Sequence, residues 1–161
     1  MMKGFYSCLI GLTALGWLSL AGTVAAKEEA TWDSVAVIVT HIQDPKPEPK
    51  TREESIEILA TGLMAFDKAY AAAMKVEPQN PMRWEAALFD AMTRPSRQII
   101  GLPPPKKTHF TLADILEASD APAGTKAKAS YLNVMNAADS PEMDLATWVV
   151  LAEKHLKTFP L

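Results

Sequence analysis

Cysteine is almost missing: the chain has one, Cys8, inside an apolar N-terminal stretch. Everything after it is thiol-free, which excludes structural disulfides, cysteine–zinc sites, a CxxC redox pair and covalent attachment of c-type haem. Glycine is scarce too. Only Gly62, Gly101 and Gly124 follow residue 26, too few for a phosphate-cradling loop, and there is no GxSxG nucleophile motif. His41, His109 and His155 are the only histidines. No two stand three or four apart, so no helix presents paired imidazoles to a metal, and HExxH is absent. Positive charge is not in excess. The formal net charge is −3, or −4 without Lys3, which excludes a general nucleic-acid binder with a basic surface. These absences leave no catalytic residue, no cofactor-binding residue and no metal ligand to name.

What is present begins with a targeting pattern. Met1-Met2-Lys3 is a short positive region, Leu9 to Leu20 is apolar, and Val24-Ala25-Ala26 precedes Lys27-Glu28-Glu29. A signal peptidase accepts only small side chains beside its cut, so 1–26 reads as a signal peptide cleaved after Ala26 and the chain as periplasmic or secreted. Read instead as an uncleaved anchor, Phe5 to Ala26 supplies 22 uncharged residues, and a spanning helix needs roughly 20. That segment would be the membrane contact. Removing 26 of 161 residues leaves 135, enough for one domain with a modest core.

All 12 prolines follow the signal, and most stand where helices should start or stop. With no sustained alternation of period 2, this predicts an all-α chain with proline punctuation. Residues 27–50 read as a short helix and a proline-rich linker, and 51–161 as a helical domain. Val35-Ala36-Val37-Ile38-Val39 is the best strand candidate, but Trp32, Val35 and Val39 also share one side of a helix from Thr31 to Ile42. Alternating prolines make Asp44 to Lys50 extended and stiff. Thr51 and Glu54 form a capping box for a helix to about Glu77. Along it, Ile56, Leu59, Leu63, Phe66, Tyr70 and Ala73 repeat as a seam for another helix. Gly62 inside the seam predicts close approach by a neighbour.

Asn80 and Pro81 start the next helix, whose buried face is Trp84, Ala87, Leu88 and Ala91; Pro95 kinks or ends it. Pro103-Pro104-Pro105-Lys106-Lys107 reads as a second linker, and Leu112, Ile115 and Leu116 as a short helix. A helix opened by Pro122 should turn Ala127, Tyr131, Val134, Met135 and Ala138 inward. In the last helix Leu145, Trp148, Val149, Ala152, Leu156 and Phe159 form the clearest apolar stripe. Short connections between these helices predict stacked antiparallel hairpins. Trp84 and Trp148 are expected in the core, and Trp32, ahead of the linker, more loosely packed.

The polar candidates carry ordinary readings beside chemical ones. Glu53, Glu54 and Glu57 suit the positive end of a helix dipole. Asp139, Glu142 and Asp144 lack the spacing and central glycine of a calcium loop. His155 reads as a helix-end or partly buried structural histidine, and Glu153 with Lys157 as a surface pair. Arg94, Arg97, Lys106 and Lys107 read as a solvated linker or as a lure for an anionic partner. Met64, Met74, Met82, Met92, Met135 and Met143 suit core gaps or an adaptable binding surface.

Phe66-Asp67-Lys68-Ala69-Tyr70 and Pro81-Met82-Arg83-Trp84-Glu85-Ala86-Ala87-Leu88-Phe89 resemble the helical N-terminal region of bacterial secreted thioredoxin-like (TlpA-type) proteins. Leu112 to Leu116, Asp120-Ala121-Pro122 and Lys126 to Ala129 carry the same resemblance. Ala152 to Pro160 also resembles the end of a tetratricopeptide-like helix pair. The resemblance covers Thr51 to Leu161. In that family a thioredoxin fold with a CxxC pair follows the helices. Here no cysteine follows Cys8, so the resemblance implies an accessory helical part without the redox residues. The expected function is a non-catalytic exported helical module that binds a protein or peptide partner and uses no cofactor. The alternative is an accessory subunit or remnant of a thioredoxin-like envelope redox system whose cysteines come from another chain.

Overall fold

The computed structural model describes residues 31–140 and 143–160; the expected signal peptide, 1–26, lies outside them. The described residues form six helices and no strand: α1 Trp32–Gln43, α2 Arg52–Val76, α3 Met82–Ile99, α4 Leu112–Glu117, α5 Ala123–Ala138 and α6 Leu145–Thr158. The chain is all-α.

Local chemistry sets the helix starts. The Thr51 hydroxyl accepts from the Glu54 amide at 3.1 Å, while the Glu54 carboxylate reaches past Thr51 to the Lys50 amide at 2.7 Å. The Asn80 side chain accepts from the Met82 amide at 3.0 Å. Thr111 and Asp114 make a full capping box on α4. Asp144 caps α6, accepting from the Thr147 amide at 2.9 Å and its hydroxyl at 2.7 Å. Those bonds hold the Asp144 carboxyl below its usual range.

Two apolar clusters share α3. On one side Ala86 and Phe89 join Trp32 and Val35 of α1 and Leu63, Phe66, Tyr70 and Ala73 of α2. On the other, Trp84, Ala87 and Leu88 join Ile115 of α4 and Ala129 of α5. The seam of α2 is therefore real, and α1 closes it. Gly62 makes room for α1: a Cβ there would stand 2.6 Å from Cγ1 of Ile42. The helical reading of 31–42 holds, with Val39 half-buried.

Three burial expectations fail. Trp32 is not loose: it is 3% exposed, its indole N–H donates to the Glu77 carbonyl at 3.1 Å, and its ring meets Tyr70 edge-on. Trp148 is only half-buried, and α6 contains no fully buried residue. On α5 Val134 is buried as expected, but its buried companions are Thr125 and Ala129, while Tyr131, Met135 and Ala138 are exposed. The larger apolar side chains drew the expected face, but the close approach of α5 to α3 and α4 is made at small ones. Pro95 does not end α3; its ring is exposed and the helix runs on to Ile99.

Candidate functional site

Helix α3 carries charge on a helix buried from both sides. Arg83, Asp90 and Arg97 are seven residues apart, two turns each, so they fall on one stripe; all three are buried. Arg83 donates to the carbonyls of Gln79 and Asn80 and pairs with Asp120, tying the α2–α3 turn to the α4–α5 turn. Arg97 is 2% exposed and forks onto Asp67 of α2, with bonds of 3.0 and 2.5 Å. Its Nη2 also lies 3.9 Å from Asp90, which takes a 3.2 Å bond from the more exposed Arg94. Burial in low dielectric makes each charge costly unless paired, and the pairs fall into two groups: Arg83 with Asp120, and a network of Asp67, Arg97, Asp90 and Arg94. Two atoms of that network make no hydrogen bond: Asp90 Oδ1 and Arg97 Nε.

Two aromatic groups border it. The Tyr70 hydroxyl donates to the Arg83 carbonyl at 3.4 Å. Burial first, then the nearby Asp90 charge, raise the Tyr70 pKa far above the usual range against the opposing pull of Arg83, so the hydroxyl stays protonated. His109 lies on Tyr70 with ring centroids 4.8 Å apart. Its pKa is lowered by burial and by Lys107, against Asp90, which favours the neutral ring at neutral pH.

The segment after α3 is not a free linker. Gly101, at φ +69°, ends the helix: its amide bonds back to Gln98, and the Leu102 amide bonds to the Arg97 carbonyl at 2.8 Å. This left-handed turn needs glycine and sends the chain back over its own helix. Leu102 packs on the first core cluster, and Phe110 stacks on Trp84 with centroids 4.7 Å apart. Between the triple proline and the end of α3 lies a cleft of about 370 Å³. Its polar wall is Arg94, Arg97, Gln98 and Thr108; its apolar wall is Leu102, Pro104 and Pro105.

A second surface is apolar. Helix α6 packs against α5 and no other described helix. Leu145 is 75% exposed, Leu156 57% and Tyr131 56%, with Val149 and Met135 also open. By helical spacing Leu145, Val149 and Leu156 share one face of α6, and Tyr131 and Met135 one face of α5. What α6 buries is narrow: the Trp148 indole N–H donates to the Val134 carbonyl at 3.1 Å, and His155 Nδ1 lies 3.0 Å from Ser130 Oγ.

Among the residues singled out in the sequence, the structure brings together only Arg94 and Arg97. Arg97 overturns the solvated-linker reading, since it is buried and paired; Lys106 and Lys107 are exposed. His41, Glu53, Glu54, Glu57, Asp139 and Asp144 are exposed. His155 is half-buried, as a structural histidine should be, and Glu153–Lys157 is not among the ion pairs of the described residues. Among the described residues no three His, Cys, Asp or Glu side chains converge as metal ligands, and no helix is long and apolar enough to cross a membrane. Sequence reading missed Asp67, Tyr70 as a polar contact, Asp90 and the cleft. The available signal was the heptad spacing of Arg83, Asp90 and Arg97.

Comparison of the chain with family models, with curated proteins and with solved structures gives no match.

Proposed function

We propose that the chain is a non-catalytic, exported helical module of stacked antiparallel hairpins that binds a protein partner through α5 and α6. The observation that carries this is the open stripe on α6: Leu145, Val149 and Leu156 recur at helical spacing yet stay exposed, and Tyr131 and Met135 are exposed on the neighbouring α5. Single exposed apolar residues are ordinary, but a contiguous set on two neighbouring helices marks an interaction surface. The occupant that fits is an amphipathic helix laid along the pair. Lys126 and Lys128 at the start of α5 adjoin Lys154 and Lys157 at the end of α6, while Asp139 and Asp144 mark the opposite end. A partner helix with acids at one end and bases at the other matches both ends.

Site-specific photocrosslinking in the producing cell tests this reading, with the probe at Val149 and a control at exposed Glu57. The expected result is a discrete adduct from Val149 alone that Leu145→Glu abolishes, with the captured protein binding the purified chain. Equal adducts from both positions, or none from Val149, would sink it. An adduct of twice the chain mass would replace the foreign helix by a second copy. A captured protein bearing a thioredoxin-like CxxC pair would support the accessory-redox reading.

A further inference from the structure

We propose that the cleft under the triple proline is a binding site for a small carboxylate with an apolar body, such as an aliphatic acyl-amino acid or the C-terminal residue of a peptide. The walls carry the chemistry. Arg94 and Arg97 line the cleft and no carboxylate does; Asp67 and Asp90 pair with the two arginines but do not line it. Gln98 and Thr108 add an amide and a hydroxyl that can donate.

Arg97 is committed by its fork to Asp67, yet its Nε has no partner although the residue is almost wholly buried. That nitrogen is closed off from the cleft as well as unpartnered, so Arg97 lends the wall its positive charge and leaves direct bonding of a ligand to Arg94. Arg94 has the greater freedom. Its side chain is 45% exposed and makes one bond, 3.2 Å to Asp90, among the described residues. A guanidinium has five donors in a planar fork that matches a carboxylate, so most of the capacity of this cleft-lining side chain is unspent.

The opposite wall fixes the rest of the ligand. Prolines have no N–H, so Pro104 and Pro105, with Leu102, offer carbon surface and no donor. One wall therefore takes the anion and the other an aliphatic group. A cleft of about 370 Å³ is at the small end for ligand sites, which suits one terminal residue rather than a long segment. Its walls are held before any ligand arrives: the Gly101 turn anchors one end, and His109 and Phe110, stacked on Tyr70 and Trp84, anchor the other. The cleft is separate from the α5–α6 surface, and neither proposal depends on the other.

The test is an amide-resolved NMR titration of the full mature chain with acetyl-leucine, acetyl-leucine amide and inorganic phosphate. The acid should shift the Gln98, Leu102 and Thr108 amides saturably, with Kd on the order of 1 mM for so small a ligand. Acetyl-leucine amide should leave them in place. Arg94→Lys, which keeps a positive charge beside buried Asp90 but loses the planar fork, should keep a folded spectrum and weaken the acid about ten-fold, while Lys157→Gln on α6 should bind as the natural chain does. A short peptide acid ending in leucine separates the sources: tighter binding than acetyl-leucine points to a peptide terminus, and equal binding to a free small acid; both support the site. Equal shifts by acid and amide, equal binding by phosphate, an unaffected Arg94→Lys variant, or no saturable shift would each overturn it.

Discussion

The two ends of the molecule solve the problem of burying a helix in opposite ways. Helices α1 and α2 meet at Gly62, fill their seam with Trp32, Leu63, Phe66 and Tyr70, and press α3 from one side. Helix α6 meets α5 alone, buries no residue fully and leaves its largest aliphatic side chains in water. Each helix is amphipathic, so patterning does not distinguish them. What differs is how many neighbours each has. A helix closed on two sides contributes to stability, whereas one closed on a single side leaves an apolar face open.

The largest expected effect lies at the first end. Trp32→Ala should cost about 3–5 kcal/mol, the usual loss on emptying a core site of a large aromatic, and Trp148→Ala about 1–2 kcal/mol, since its ring is half-exposed. Urea denaturation of both variants measures the gap, and a reversed order would move the stable core to α5 and α6. Next comes Gly62→Ala, in which overpacking against Ile42 costs about 1–3 kcal/mol against a helix-propensity gain of about 1. The net loss should shrink when Ile42→Ala is added, a coupling that a double-mutant cycle reads directly.

A smaller effect is expected from pH. The folded His109 has a lowered pKa, so the unfolded chain takes up its proton first as pH falls below the ordinary value of 6.5. Stability is therefore intact above that value and declines as pH drops from it through the lower folded value. Urea midpoints from about pH 7.5 to about pH 5 should show the decline, and His109→Gln should flatten that component while His41→Gln does not. The smallest effect belongs to Leu145→Glu. An exposed substitution should stay within about 0.5 kcal/mol in a thermal melt, and a large loss would mean that this face is already covered.

The sequence was most legible where one residue type has one physical reason. Thr51 and Thr111 start helices because their side chains accept backbone bonds, although only the first was foreseen; Asn80, expected as a cap, stands one position before the Pro81 cap and accepts from the Met82 amide. Gly62 announced a close approach, which Ile42 makes. The α2 seam was readable because its large apolar residues are also the buried ones, apart from Ile56 at its open end. Reading failed where burial is decided by a neighbour rather than by residue size. On α5 the inward positions are Thr125 and Ala129 as well as the expected Val134, and on α6 most of the stripe that periodicity picks out stays open. The site was hidden for a related reason. Arg97 and Asp67 stand 30 residues apart, and only the return of α3 along α2 makes them a pair. The triple proline looked like a tether because its packing depends on Gly101, four positions beyond Arg97.

The single-sided docking of α6 also sets how the molecule comes apart. Since α6 touches α5 alone, its release breaks one interface and leaves the two clusters around α3 whole. Backbone amides of α6 should therefore exchange with deuterated water through a partial opening, long before those of α2 and α3, which await global unfolding. The exposed turn at Asp139 is the natural place for a protease to cut while α6 is detached. A cell that tightens or loosens that one contact, by covering α6 with a partner, would control the lifetime of the whole chain without touching its core.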